Sequence, residues 1–345
     1  MSTANTDAYN LSNVDLDGIL NEDVMQTIFN IDPVDLPYTD MAGREDSKNP
    51  YKSWVKEGLA TLALPTPLVD GADAPNAGTF DEARVGNHHQ IIGKTVRVSK
   101  RARNVDAIGY DDRLIHELMI RQKELRKEME AALVSNQASV EATSAVAGQM
   151  AGAAAMFETN IINGTAGGFS AGIYSAPTEG AARALTEDDL RDAGEAAYSE
   201  GGNPRILMST PQMIRGISEY LFSSTARIAT LSSDVTTSDN SQGRYGNQGV
   251  TAIGSVNTFV SDFDTFTLTP NRSQLPTDTN EVNVFMFDPD YWAVSYIYGI
   301  TTEELAKTGL ADNRLMSVDM TNVAKQEKSS AIIMGINPTL AVTAS

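Results

Sequence analysis

The sequence predicts an α+β fold with extended limbs, and three observations predict it. Residues 111–137 carry many charges but keep the apolar spacing of one long helix. Residues 51–103, just before it, read as an extended polar stretch too poor in apolar side chains to hold a core alone. After the helix, beyond a Gly/Ala-rich crossing, helix and strand patterns alternate in a compact segment. Such a chain suits a subunit whose limbs become ordered by touching copies of itself, and suits a solitary enzyme poorly.

Composition narrows the classes. A chain of 345 residues has room for one large or two ordinary domains with real cores. Lys and Arg total 26 against 45 Asp and Glu, so the formal charge is −19. That balance argues against direct nucleic-acid binding, which needs cations to neutralise phosphates. It is compatible with an acidic wall that encloses a nucleic acid without sticking to it. Cysteine is absent, which excludes disulfides, thiolate catalysis and Cys-based zinc sites. No apolar run approaches the roughly 20 residues of a membrane span. The opening MSTANTDAYN has neither a basic nor an apolar signal region, so a cytosol-like compartment is expected. The acids are unevenly placed. In residues 1–47 ten acids face one base, Arg44, whereas residues 94–127 carry ten bases and five acids. Two solvated faces of opposite sign would explain this, and so would an acidic arm lying across a basic hairpin-and-helix surface of its own or a neighbouring subunit.

Taken in order, residues 1–50 read as an arm with one short amphipathic helix near 22–30, pairing Val24 with Ile28 and Met25 with Phe29. Asp32-Pro33 and Leu36-Pro37 end it and enforce extended chain. In the next stretch Ile92, Val96 and Val98 share one face, interrupted by Lys94, while Thr95, Arg97 and Ser99 take the other. The proline-rich middle, LPTPLVDGADAPNAGTF, reads as a loop joining two strands. On the long helix Leu114, Leu118, Leu125 and Met129 form a stripe, widened by Ile115, Met119, Ala132 and Leu133. Glu117 with Arg121, and Arg126 with Glu130, are opposite charges four apart. Run from 111 to 137, it would be about 40 Å long, and Asp111 and Asp112 suit its positive N-terminal end.

Residues 140–185 are small and flexible, with a short Ala-rich helix ending near Phe157. Thr186 with Asp189, and Leu185 with Leu190, then open a capped helix that stops at Gly201-Gly202. Ile206, Leu207 and Met208 make a short buried strand, and Thr210-Pro211 starts another helix burying Met213, Ile217 and Leu221. The Ser/Gly-rich 223–249 reads as a loop. Strands are expected at 249–260, 263–269, 282–287 and 292–298. Thr301 with Glu304 reads as a capping box opening a short helix, and strands 314–321 and 323–335 close the chain.

Three motifs look chemical. Gly168-Phe-Ser170-Ala-Gly172 matches a nucleophile elbow, but that needs a helix after it and a histidine later in the chain. The histidines are His88, His89 and His116, all upstream. Gly93-Lys94-Thr95 mimics the end of a phosphate-binding loop, yet His88 stands where its first glycine belongs and a strand pattern follows. His88-His89 lacks partners at metal-ligand spacing. No catalytic residue, cofactor or metal is expected.

The C-terminal run carries a resemblance. Glu304-Leu-Ala-Lys-Thr-Gly309, then Asn313-Arg-Leu, a strand, and Val323-Ala-Lys-Gln-Glu-Lys-Ser-Ser-Ala-Ile-Ile resemble the closing segment of tailed-phage major capsid proteins of the Hong Kong 97-type fold. Tyr51-Lys-Ser-Trp54 and Lys94-Thr-Val-Arg-Val-Ser99, read as the two sides of the hairpin, resemble it too, as do residues 125–137. By order of elements the resemblance covers about 300 residues.

It implies an N-terminal arm at 1–50, an E-loop at 51–103 and a P domain at 104–158 containing the spine helix. An A domain would follow at 159–299, with P-domain return strands at 300–345. It further implies inter-subunit contacts at Trp54, Lys56, Lys94, Arg97, Lys307, Asp312 and Asn313. The implied partners are copies of the chain itself in hexamers and pentamers, a portal and scaffolding protein, in some cases a decoration protein, and packaged DNA bound without specificity, with no membrane. The place of action would be a virion capsid assembled in the host cytoplasm. No long scaffold-like segment precedes the arm, which implies a separate scaffolding protein or none. Some relatives join an E-loop lysine to an asparagine of the P-domain loop; here Lys52, Lys56 or Lys94 would meet Asn313, though most relatives lack the bond. The competing readings are a decoration or tail subunit, an encapsulin-like compartment, and a hydrolase using Ser170. Deleting residues 1–50 is expected to leave the A domain folded and abolish closed particles.

Overall fold

The computed structural model describes residues 33–58, 64–74, 82–105, 109, 111–223, 258–261, 263–278, 280–307 and 309–343. The helix expected at 22–30, the loop at 223–249 beyond Ser223, and most of the strand expected at 249–260 lie outside these residues.

A four-stranded sheet and one long helix form the first half of the body. The chain enters through α1 (Pro37–Met41) and β1 (Gly43–Asp46), then runs up β2 (Tyr51–Glu57) and back down β3 (Glu82–His88). Next come β4 (Gln90–Ser99), α2 (Lys100–Asn104) and α3 (Arg113–Leu133). The sheet is completed near the C-terminus by β14 (Trp292–Glu304) and β15 (Ala311–Ala324), in the order β1-β14-β15-β4. β1 runs parallel to β14, and the other pairs are antiparallel.

The pairing corrects one expectation. Residues 94–99 were read as the second side of the hairpin, but the partner of β2 is β3, from Tyr51 opposite His88 to Glu57 opposite Glu82. β4 instead pairs with β15 along its whole length, Gln90 opposite Met320 and Ser99 opposite Ala311. The reason is burial: Val96 and Val98 turn toward α3, and a free ribbon offers nothing to bury them against.

The long helix is shorter than its charge pattern suggests, 21 residues or about 31 Å. Asp112 caps it, accepting from the Leu114 amide at 2.9 Å. It stops at Leu133 because the chain must fold back under it. The Gly152 amide donates to the Gln137 carbonyl at 3.1 Å, and a Cβ at 152 would meet the Ser135 carbonyl oxygen at 2.1 Å. Leu114, Leu125, Met129 and Leu133 are buried as expected, with Leu118 packed at the core's edge. Ile115 and Met119 are not part of the stripe; they are 57% and 53% exposed.

The other half is a six-stranded sheet, β11-β12-β10-β13-β16-β5. Its strands are β5 (Ile161–Ile162), β10 (Ile206–Ser209), β11 (Thr258–Val260), β12 (Thr265–Pro270), β13 (Val282–Phe287) and β16 (Ala331–Ile336). Alternation sets its two faces. Leu207, Val284, Met286 and Ile333 pack with α4 (Glu187–Ser199) and α5 (Pro211–Ser223), while Met208, Phe285, Phe287 and Ile332 join the core beneath α3. Both faces are therefore buried, as the run Val282–Phe287, apolar apart from Asn283, requires. α4 opens on the expected capping box, Thr186 with Asp189. At the junction Phe287 meets Trp292 edge-on, ring centroids 5.1 Å apart, and Tyr38 meets Phe287 at 5.3 Å.

Small two-stranded ribbons, β6 (Gly164–Thr165) with β9 (Thr178–Glu179) and β7 (Phe169–Ser170) with β8 (Ile173–Tyr174), fill the crossing between the sheets. The Ala-rich helix expected there is one buried 3-10 turn, Ala153–Met156. The helix expected at Thr301 is also absent. β14 continues to Glu304, which faces Arg314 across the ladder with an ion pair at 3.2 Å. Long-range pairing of β-branched residues outweighs the local capping signal. Nor is 323–335 one strand: a 3-10 turn at Glu327–Ser329 divides β15 from β16, and the Glu327 carboxylate accepts from Thr159 at 2.9 Å.

Candidate inter-subunit surfaces

The residues expected at subunit contacts fall into two places. One is the tip where β14 turns into β15. Here Asp312 accepts from Arg103 of α2 at 2.6 Å and lies 2.9 Å from the Lys307 ammonium. Arg103 also donates to Asp112, the cap of α3, at 2.7 Å. Lys307 and then Arg103 hold the Asp312 carboxyl down to about 2. This exposed network ties α2, the start of α3 and the β-turn together, and it contributes geometry more than stability. Beside it Leu310 is 81% exposed and its carbonyl accepts from the Lys100 amide at 3.0 Å. Asn313 faces Arg97 across the ladder, and its buried amide oxygen has no hydrogen-bond partner among the described residues.

The second place is the β2–β3 ribbon, where Trp54 faces Val85 and Lys56 faces Ala83. Trp54 packs against the core while Lys56, almost fully buried, lies 3.7 Å from Glu158. Lys94 points into the body: its ammonium is 3.0 Å from Glu124 and 2.5 Å from Glu128 of α3. Burial pulls that amine down, but the two carboxylates outweigh it and leave it raised. Lys52 contacts Glu45 at 3.4 Å. Each lysine considered for a bond to Asn313 is thus engaged by a carboxylate of its own chain. Higher up, the ribbon leads to an apolar tip, with Leu64 96% and Val69 78% exposed.

Sequence reasoning missed Glu130. Its carboxylate is fully buried yet has no ion-pair partner among the described residues. It accepts from the Tyr38 amide at 2.6 Å, the Thr39 amide at 3.0 Å, the Thr39 hydroxyl at 2.6 Å and the Asn271 amide at 2.9 Å. The Tyr38 hydroxyl donates to Asn322 at 2.7 Å. Burial raises the Glu130 carboxyl, and the donors partly offset this. Residues 37–41 are therefore latched to α3, so the arm expected at 1–50 does not hang free as far as residue 50. The expected Arg126–Glu130 pair does not form, because Glu130 turns inward while Arg126 stays exposed.

The chemical-looking motifs resolve into structure. Ser170 and Ile173 pair across a two-residue hairpin whose turn, Ala171 and Gly172, has φ of 52° and 88°. No helix follows, so the elbow geometry is not built. Lys94 lies mid-strand in β4, and strand rather than a helix N-terminus follows it, so no phosphate-cradling loop is built there. His88 leans on Tyr51, with centroids 4.8 Å apart, and His89 is buried at the end of the ribbon.

The arrangement is shared with known shells. The chain superposes on the capsid subunit of Cyanophage A-1(L) with a TM-score of 0.57 at 16% identity, covering 92% of this chain and 97% of that one. The capsid of a native GTA particle gives 0.57 at 11% identity over 95% and 99%. The SrpI encapsulin of Synechococcus elongatus PCC 7942 gives 0.53 at 10% identity over 93% and 94%. At such identities the likeness shows the fold, and it is the Hong Kong 97-type. The major capsid protein of Escherichia phage Phieco32 is 30% identical over 108 residues, a match spanning 31% of this chain and 31% of that protein. The model of the SU10 major capsid protein family matches residues 2–337, so the chain belongs to that family.

Proposed function

We propose that the chain is the major capsid protein of a tailed phage, a structural subunit that assembles into hexamers and pentamers and closes an icosahedral shell around double-stranded DNA. Family membership over nearly the whole length carries this reading. In it, residues 1–32 act as the arm, β2 and β3 with their tip as the E-loop, α3 with the four-stranded sheet as the P domain, and the six-stranded sheet with α4 and α5 as the A domain. The Lys307–Asp312–Asn313 tip and the Trp54–Lys56 stretch of β2 meet neighbouring subunits. Weak contacts, repeated over a closed lattice, sum to a stable shell. The net charge of −19 suits a wall that holds DNA without binding it. Portal and scaffolding proteins are the expected partners, and assembly takes place in the host cytoplasm.

Negative-stain imaging of the expressed chain tests this. Closed particles or capsomer sheets are expected. A monodisperse monomer at high concentration, with the β2–β3 ribbon resistant to protease, would overturn it. The fold is shared with an encapsulin, so the contents of purified particles matter: packaged DNA supports the capsid reading, and a protein cargo refutes it.

A further inference from the structure

β4 ends the four-stranded sheet, so its outer edge has no strand partner among the described residues. Along that edge runs a cleft of about 570 Å³ lined by Thr95, Arg97, Ala102, Arg113, Glu117 and Arg121. Its walls are the strand on one side and the first half of α3 on the other. Glu117 lies 3.7 Å from Arg113 and 4.0 Å from Arg121, and Arg121 also holds Glu124 at 2.7 Å. α2, whose Ala102 lines the cleft, adds exposed Lys100 and Arg101. Cations therefore outnumber anions among these residues, in a chain whose net charge is −19.

We propose that this cleft seats the acidic N-terminal segment, residues 1–32. Three observations point to that occupant. The segment carries Asp7, Asp15, Asp17, Glu22, Asp23 and Asp32 and no Lys or Arg, so its charge complements the cleft. Val14-Asp15-Leu16-Asp17 alternates apolar and acidic residues, the pattern of a strand added to an open edge with one charged side. The described chain starts at Pro33, next to the α1 latch on Glu130 of the same helix. Thirteen residues of α3, about 20 Å at 1.5 Å each, separate Glu130 from Glu117. Extended chain at about 3.3 Å per residue spans that with length to spare. The ribbon tip, with Asp70 and Asp73, is the rival occupant.

The test is zero-length carbodiimide cross-linking of the full chain, which joins carboxylates to lysines only where they touch. Linked peptides between acids of residues 1–32 and Lys100 are expected, whether within one chain or between copies. They should vanish at high salt and in an Arg113→Glu/Arg121→Glu variant that retains its helical circular dichroism. The Lys94–Glu128 and Lys307–Asp312 pairs serve as internal controls for the reaction. Controls that link while Lys100 stays unlinked, or links to Asp70 or Asp73, would overturn the proposal. The inference does not depend on shell closure: closed particles without the Lys100 link would sink it and leave the capsid reading intact.

Discussion

Glu130 shows how a single carboxylate can hold two parts of a chain together without a cation. Its donors are amides and a hydroxyl, and the three from Tyr38 and Thr39 are satisfied only while residues 38–39 lie on α3. Truncating it leaves buried donors unpaired, at about 1–3 kcal/mol for each such group. Glu130→Ala is expected to lower stability by about 3 kcal/mol in denaturant titrations, with early protease cleavage before residue 43. Nothing in the sequence marked this residue, because a glutamate four residues after an arginine reads as a solvent pair, and amide donors leave no trace in composition. His89 gives a pH signature. Burial lowers its imidazole, with Lys52 and His88 pushing the same way and the Pro50 carbonyl opposing. The folded state thus binds the proton more weakly than the unfolded chain. Its contribution is present above about 6.5 and is lost as pH falls through the depressed value. Melting temperature should drop on acidification from pH 7, and His89→Leu should flatten that slope. Asp312 behaves alike at lower pH: the support of Lys307 and Arg103 persists until pH falls toward about 2.

At the scale of elements, what was legible was local. The α4 capping box, the Pro211 start of α5 and the buried run of β13 stand where residue pattern puts them. Thr186→Ala is expected to cost about 1 kcal/mol, read as a fall in melting temperature. Pairing was not legible. Val96 and Val98 indicated a strand with one buried face but not which strand lay beside it, and β15 is more than 200 residues away in sequence. The same limit explains Thr301 and Glu304, whose capping pattern is real but whose cross-strand partners, Ser317 and Arg314, decide the outcome. Resemblance singled out the turn between β14 and β15, while the network through Arg103 and Asp112 needed the fold to bring α2 and β15 together.

For the whole molecule, the boundary of the arm moves. Deleting 1–50, expected to leave the A domain folded, would also remove Tyr38, fully buried against Phe287 and Trp292, and strand β1 with it. The informative truncation is therefore residues 1–32. It is expected to leave the circular dichroism melt of the body unchanged and to abolish closed particles in negative stain, whereas removal of 1–50 lowers soluble yield and melting temperature. On denaturing gels a single monomer band is expected, since Lys52, Lys56 and Lys94 are each held by a carboxylate. A ladder of multimers would refute that.

The parallel register of β1 on β14 has a mechanical corollary. Pulling on the N-terminal end loads the α1 latch on Glu130 first; force that passes it draws β1 along its own axis, so its bonds to β14, Gly43 beside Ala293 through Asp46 beside Tyr296, are loaded together in shear. Tension arriving from a neighbour would pass into the middle of the sheet and into α3, which lets a thin tether bear load while the body around it stays rigid.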